Sequence, residues 1–510
     1  MAGIKELKVL APLLLSKAMS ADSLQRKRVN AFLCKQMGES KGLWLKLGQF
    51  LGTGEGHWEE LKTIPLGEDL PQIPEEEFLP YLHLLMSEAK LNFDSEFSSI
   101  EFPGHSASLS QVHRVVDHKG HAWALKVQLP NIDQVVKDQL SLLGLFGKFE
   151  GFQEEKKTFQ TKEYHSTLAD GFEKELDYSL ERGNIQSLAP LEKRFENAHI
   201  VRLHPHVQSN RILCLSWEEG DDWNTVLNTY DVTQKRHIGN ALITQFLYQY
   251  FIMGISQGDF HPGNFKFTKA GAIHWYDFGQ VLTPSKKQRA ALYRLIESLR
   301  DESDEELGPL LKAWDFDLKK LAPIAHQLPL VLSKIFDPFI TNQAFNIKEW
   351  NLKETINLIL EENRWWLRTA GSPKLFLSIR AWMGLLNMLE ELNTPFYFSQ
   401  IWSELSYEMS PLLKRVTLDS SILEQITLKD LAKTLVIKIK ENSITKVEIT
   451  LPARALEEVP SLLSSQTKLE MEKAGIDITK VVEHHLKQGL KSETVVDFTD
   501  GTKHYLVELI

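Results

Sequence analysis

The chain has 510 residues, 43% of them apolar and 25% charged, with a formal net charge of −10. That length exceeds one small core and predicts two or three packed units of ordinary soluble, globular character. No long basic stretch offsets the acidic balance, which argues against non-specific nucleic-acid binding, and no run reaches the ~18 uninterrupted apolar residues of a bilayer span. Cys34 and Cys214 sit in apolar contexts without metal-ligand spacing. That usage predicts a reducing, cytoplasmic compartment.

Residues 1 to about 95 read as mostly helical, punctuated by glycines between 52 and 56 and by Pro65, Pro71 and Pro74. The opening stretch has no small-residue cleavage site after a long apolar core and is not read as a secretory signal. Lys5, Lys8 and Lys17 beside leucines would suit peripheral contact with an anionic membrane. A packed amphipathic helix is the favoured reading. In Gly42-Leu-Trp-Leu-Lys-Leu-Gly-Gln-Phe-Leu-Gly52, apolar residues surround Lys46. Such a lysine either snorkels to the surface or needs an anionic partner.

From about 96 to 218, short β-rich runs alternate with helices, the pattern of a small nucleotide-binding lobe. Trp123-Ala-Leu-Lys126-Val-Gln is an apolar strand with one central lysine. A lysine so placed neutralises the α- and β-phosphates of a nucleotide, and an unpaired buried one would be costly. The stretch Phe172 to Asn184 offers Glu173, Glu175, Asp177 and Glu181 as partners. Glu173, Asp177 and Glu181 lie four apart on one helical face while Glu175 points elsewhere, and periodicity does not choose between Glu173 and Glu175. The strand Arg211 to Gly220 leads into the connection between lobes.

From about 219 to 430 the pattern is almost wholly helical. Ala241 to Ile255 holds Gln245 and Gln249 and runs into Gln257-Gly-Asp-Phe-His-Pro-Gly-Asn264, so it reads as a buried helix supporting that loop. Asp259 and Asn264 are five residues apart, and Tyr276-Asp-Phe-Gly279 follows. This is the order and spacing of a phosphoryl-transfer catalytic loop and its metal-binding triplet. One carboxylate orients the attacking hydroxyl or water, while an amide oxygen and a second carboxylate hold Mg²⁺ against the phosphates. The intervening residues predict a hairpin turning at Lys269-Ala270-Gly271, which brings Asn264 and Asp277 together. His261 is read as a brace for the loop, and His204, His206 and His274 as structural. The tryptophans near 365 and 382 are read as helix-packing residues.

The tail from about 431 reads as a separate α+β unit. Leu435, Ile437 and Ile439, then Val447, Ile449 and Leu451, alternate with polar positions as a half-buried hairpin. Two helical stretches follow, and a second hairpin turns at Asp500-Gly501.

Five ordered motifs across roughly residues 40–290 resemble the UbiB/AarF family of atypical, coenzyme-Q-linked kinases. Lys46-Leu-Gly-Gln49 matches its Lys-x-Gly-Gln marker, and Glu175-Leu-Asp177 its Glu-x-Asp helix. Glu181 and Asn184 match its Glu-x-x-Asn. Asp259 to Asn264 matches Asp-Pro-His-Pro-Gly-Asn, with Phe260 in place of the first proline. Pro103 to His113 keeps the Ser-Ile-x-Gln-Val-His ending of the family's alanine-rich loop but only Ala107 of its alanines, being serine-rich around Ser108. The Ser-x-Arg segment after the marker is replaced by Leu51 to His57, and Ser216 stands where a glutamate is common. The chain therefore resembles a divergent member.

The resemblance implies a two-lobed protein-kinase-like α+β fold, and the pattern along the chain divides it at 1–95, 96–218, 219–430 and 431–510. It implies ATP and Mg²⁺ as cofactors. Lys126 would bind phosphates, paired with Glu175 in preference to Glu173. Asp259 would orient the nucleophile, with Asn264 and Asp277 on the metal. Ala107 and Ser108 would cover the nucleotide, and the backbone near Leu215, Trp217 and Glu218 would meet adenine. Lys46 and Gln49 would fold over the site and restrict it to a small or lipid-like acceptor, or to water. A nucleotide-gated scaffold without turnover needs the same ligands. The intact set argues against a nucleotide-free pseudokinase.

Overall fold

The computed structural model describes residues 72–106, 109–134, 136–137, 171, 174–301, 303, 305–419, 432, 434–442 and 444–510. Lys46, Gln49, Ala107, Ser108 and Glu173 lie outside them. The chain divides into two compact units, Met1–Thr225 with His261–Val281, and Val226–Phe260 with Leu282–Ile510. The hairpin after the catalytic loop thus belongs with the first unit, which the four-part division from sequence does not anticipate.

In the first unit, helix α1 (Glu75–Glu88) opens on three glutamates, which suit the positive end of a helix dipole. Strands β1 (Phe97–Ile100), β2 (His105–Ser106), β3 (Ser110–Asp117), β4 (Ala122–Gln128), β6 (Leu203–Gln208) and β7 (Ile212–Ser216) form one sheet among the described residues. Its order is β1-β3-β4-β7-β6, antiparallel throughout, with β2 beside β3. Phe78, Leu82, Leu85 and Met86 of α1 pack on Val115, Leu125, Val127, Ile212 and Cys214 of the sheet. Residue 95 is therefore no core boundary, because the preceding helix and the sheet share one apolar interior.

Helix α2 (Tyr178–Leu188) buries Tyr178, Glu181, Ile185 and Leu188, one stripe at helical spacing. A second small sheet joins β5 (Ala198–Ile200), β8 (Phe265–Phe267) and β9 (Ile273–Trp275). Strands β8 and β9 form the predicted hairpin, with Phe265 opposite Trp275 and Phe267 opposite Ile273. Gly271 takes a φ of 89° in the turn, a conformation that glycine adopts without a steric cost.

In the second unit, helix α3 (Val232–Leu247) starts from a reciprocal cap between Asp231 and Gln234 and continues as a π-helical turn over Tyr248–Met253. Gln245 and Gln249 are fully buried, and Gln249 Oε1 accepts from the Gln257 N–H at 3.0 Å. The helix thereby supports the loop into which it runs, as the sequence reading expects. Helix α4 (Lys286–Arg300) follows, then further helices, then α5 (Pro373–Leu392) and α6 (Phe398–Leu413). Trp382 stacks on Phe246 and on Phe339, and Trp402 Nε1 donates to Glu297 Oε1 at 2.7 Å, so both are packing residues. Among the described residues no helix is long and apolar enough to cross a membrane.

The tail is built from β10 (Thr434–Glu441), β11 (Ile444–Pro452), α7 (Ser465–Lys473), α8 (Ile478–Lys487), β12 (Glu493–Asp500) and β13 (Lys503–Leu509). Both predicted hairpins form, in a sheet ordered β11-β10-β13-β12. Two details differ from the sequence reading. Strand β11 lies on the sheet edge, so Val447 and Ile449 are exposed although they alternate as buried positions would. The tail is also not separate. Lys334 pairs with Glu457, Glu361 with Lys487, and Gln327 Nε2 donates to the Lys487 carbonyl, so it belongs to the second unit.

Candidate active site

Lys126 lies in the middle of β4, opposite Val112 on β3 and Leu213 on β7, so its side chain leaves a strand hydrogen-bonded on both sides. Its Nζ donates to both carboxylate oxygens of Glu181, at 3.0 and 2.9 Å. The expected partner, Glu175, is thereby corrected. Among the described residues the helix is interrupted at Leu176 and Asp177. Asp177 has an extended backbone and caps α2, its Oδ1 accepting from the Ser179 N–H at 2.9 Å. Glu175 precedes that cap, while Glu181 sits on the buried stripe of α2 and faces the strand.

One turn along α2, Asn184 Nδ2 donates to the backbone carbonyl of Phe278 at 2.9 Å. The Glu-x-x-Asn spacing therefore has a structural meaning. Positions three apart share a helical face, so one turn holds the lysine and the Asp-Phe-Gly segment together. Asp277 folds its own Oδ1 onto the Gly279 N–H at 3.0 Å. A methyl group placed on Gly279 would lie 3.4 Å from Asp277 Oδ1, 3.7 Å from Glu175 Cγ and 3.8 Å from Glu181 Oε2. Three carboxyl-bearing side chains converge there around one lysine.

The electrostatics follow from that surplus. Burial alone would lower the Lys126 pKa, but Asp277 and Glu181 outweigh it and hold the ammonium well above its ordinary range. Burial raises the Glu181 pKa, Lys126 pulls it back, and Asp277 and Glu175 push it up again. Both shifts have one cause in common: excess negative charge stabilises the lysine's proton and disfavours another carboxylate. A site of this kind attracts a cation.

Asn264 ends a short turn over Pro262–Asn264, in which His261 Nδ1 accepts from the Gly263 N–H at 3.1 Å. The Tyr276 N–H donates to the Asn264 carbonyl at 3.4 Å, extending the β8–β9 register so that Asn264 and Asp277 stand at the same end of the hairpin. An amide oxygen and a carboxylate are hard donors suited to Mg²⁺, which takes few protein ligands and completes its shell with phosphates and water. Among the described residues no group of three His, Cys, Asp or Glu side chains is arranged to hold a metal by itself. The donor set thus fits a metal carried in with a nucleotide.

At the end of β7, the Trp217 N–H already donates to the Ala122 carbonyl at 3.2 Å. That amide is therefore committed to the sheet. Glu218 accepts from His274 Nδ1 at 2.9 Å and from the Ser216 hydroxyl, bonds that hold its carboxyl below the usual range. Ser216 thus sits beside a carboxylate after all, supplied from two residues on. His274 is structural in the sense read from sequence, as is His204, whose Nδ1 accepts from the Val207 N–H at 3.1 Å. The Gln111-Val-His113 ending is also structural. Gln111 exchanges bonds with the Ile73 backbone, and His113 Nδ1 donates to the Glu101 carbonyl at 2.9 Å.

In the second unit, Asp259 Oδ1 accepts from Arg380 Nη2 at 2.7 Å. Sequence reasoning missed this arginine. The available signal was an isolated guanidinium in the apolar run Leu375 to Leu386, four residues before a mid-helix glycine.

Comparison with known proteins places the chain beside atypical kinase-like sequences. Residues 66–308 match the model of the ABC1 atypical kinase-like domain. The chain is 26% identical over 299 residues to the chloroplastic Activity of BC1 Complex Kinase 1 of Arabidopsis thaliana, covering 55% of this chain and 42% of that one. It is 26% identical over 234 residues to the AarF domain-containing protein kinase 1 of Xenopus laevis, covering 44% and 43%. It spans about half the length of the curated relatives it matches. The solved Rv3197–erythromycin complex of Mycobacterium tuberculosis aligns with a TM-score of 0.50 at 22% identity, over 77% of this chain and 98% of that one. That likeness shows a kinase-like fold of mixed helices and sheets. With the ordered motifs, these matches show an ABC1 atypical kinase-like domain over residues 66–308 and a likeness of the chain to the UbiB/AarF atypical kinase-like proteins.

Proposed function

We propose that this protein binds ATP with Mg²⁺ and transfers or hydrolyses its terminal phosphoryl group. The observation that carries the reading is the cluster of Lys126, Glu181 and Asp277, in which one lysine is held rigid among surplus carboxylates. Lys126 would meet the phosphates, and Asn264 and Asp277 would hold the metal. Mg²⁺ supplies charge neutralisation of the phosphates when bound. Asp259 would orient the attacking oxygen by accepting its proton-bearing hydrogen bond. Lys46 and Gln49, by resemblance, would narrow the acceptor to a small or lipid-like molecule or to water. The pathway proposed for such an acceptor is quinone or isoprenoid-lipid metabolism, reached by peripheral contact with a membrane. An ATP-gated scaffold without turnover is the alternative, since a binding switch requires the same ligands.

ATP turnover by the purified protein separates the two, measured with and without detergent and quinone-like phenols. Asp259→Asn is expected to retain most Mg²⁺-ATP binding and to lose at least about 100-fold in turnover, the scale of a positioned proton acceptor. A parent protein that binds Mg²⁺-ATP tightly yet never releases ADP would favour the scaffold.

A further inference from the structure

We propose that Arg380 is a positioning residue that fixes the carboxylate of Asp259 before the nucleophile arrives. The proposal rests on the phosphoryl-transfer reading of Asp259. Three contacts bind helix α5 to the catalytic loop, all of them within the second unit.

The first is the charge-assisted bond from Arg380 Nη2 to Asp259 Oδ1, at 2.7 Å and with the arginine side chain only 15% exposed. The second is steric. Gly384 lies one turn after Arg380 on the same face of α5. A Cβ there would fall 2.4 Å from the Phe260 carbonyl oxygen and 2.9 Å from Phe260 Cβ. Glycine inside a helix is less favourable than alanine. Here it allows the helix backbone to reach the loop backbone at the residue next to Asp259. The third is aromatic. Phe260 is buried and meets Phe246 edge-on at 5.0 Å, and Phe246 stacks on Trp382 of α5 at 5.8 Å. Phe260 is the residue at which this loop departs from Asp-Pro-His-Pro-Gly-Asn.

The physical need for such a clamp lies in the aspartate itself. The terminal torsion of an aspartate is broad and roughly two-fold, so an unrestrained carboxylate presents its oxygens over a range of angles. An orienting group must reach its proton at about 2.6–3.2 Å. A guanidinium on Oδ1, carried by a helix locked at Gly384, sets the plane of the carboxylate. Misplacement by about 1 Å costs on the order of 100-fold in rate.

The test is steady-state ATP hydrolysis by the full chain with Mg²⁺, comparing parent, Asp259→Asn, Arg380→Met, Arg380→Lys and Gly384→Ala. Thermal stabilisation by Mg²⁺-ATP is measured on each. Arg380→Met is expected to lower kcat about 10- to 100-fold, with the KM for ATP and the nucleotide-induced stabilisation near parent values. Arg380→Lys restores charge without the planar fork and should recover part of kcat. Gly384→Ala, which displaces Phe260 without touching either charge, should lower kcat in a protein that still binds nucleotide. Parent-like or raised kcat in Arg380→Met, or a rise in KM alone, would overturn the proposal. If Arg380→Met does not fold, a folded Arg380→Lys and Gly384→Ala pair with parent kcat overturns it equally. A parent without turnover, or Asp259→Asn at parent rate, instead removes the role of Asp259 and the positioning role with it.

Discussion

Glu181→Gln should lower the stability of the lysine-bearing unit by about 3 kcal/mol, while Glu175→Gln changes it by less than about 1 kcal/mol. Breaking a buried ion pair by neutralising one partner costs about 3–5 kcal/mol, because the other charge stays buried without compensation. Glu181 is 3% exposed and Lys126 16%, so solvent screens the pair little. Asp277 attracts the orphaned ammonium in part, which places the expectation at the lower end of that range. Towards this pair Glu175 acts as a neighbouring charge that disfavours ionised Glu181. Removing it relieves some repulsion and breaks no bond to Lys126. Thermal unfolding of the two variants, with circular dichroism to confirm folding, distinguishes the assignments. Equal destabilisation, or a larger effect at 175, would return the lysine to Glu175. Added Mg²⁺-ATP should stabilise Glu175→Gln as it does the parent and Glu181→Gln markedly less.

The contrast between these two glutamates shows what the sequence could and could not reveal. Motif order singled out the lysine, the loop aspartate and the proposed metal pair, because phosphoryl transfer demands those residue types at near-constant spacing. The helix partner was harder. Three acidic residues at helical intervals, Glu173, Asp177 and Glu181, predicted one face, but the phase of that face depends on where the helix starts. Asp177 ends the preceding turn by capping α2, and this local hydrogen bond overrides the longer periodicity. Asp177 and the serine two residues on, just ahead of an apolar stripe, were the usable signal. Read as a cap, Asp177 places Tyr178, Glu181, Ile185 and Leu188 together and leaves Glu175 outside.

Arg380 was illegible for a different reason. Its partner lies 121 residues away, and no local pattern encodes a pairing at that separation. The edge strand β11 illustrates the same limit. Alternation correctly identified a strand with one apolar face, but whether that face is covered depends on sheet order. Val447 and Ile449 pair with β10 on one side and with no strand of the sheet on the other. Local chemistry therefore specified the elements and the motif-borne chemistry, whereas cap phase, sheet edges and distant partners emerged only in three dimensions.

Asp277→Asn should abolish most of the stabilisation by Mg²⁺-ATP while leaving the nucleotide-free protein nearly as stable as the parent. Asparagine keeps an Oδ1 acceptor for the Gly279 N–H, so the local turn survives. The electrostatic consequences in the free protein oppose one another. Asp277 attracts Lys126 and repels Glu181, so its neutralisation loses one favourable interaction and one unfavourable interaction. A net change within about 1 kcal/mol follows from a charge acting on a tightly paired, nearly neutral couple. The ligated protein has no such cancellation. A carboxylate ligand to Mg²⁺ is replaced by a neutral amide, directly beside phosphates whose charge the metal must balance. At 100 times the parent Kd, ligand stabilises by about 2.7 kcal/mol; a roughly 100-fold loss of affinity leaves about 0.4 kcal/mol. Thermal shift at that nucleotide concentration reads this difference directly. Asp259→Asn, measured alongside, should keep most of the shift because that carboxylate is assigned to the nucleophile and not to the metal. Equal ligand-induced stabilisation in Asp277→Asn and the parent would remove Asp277 from the metal site, and a lost shift in Asp259→Asn would move the metal onto the loop aspartate instead.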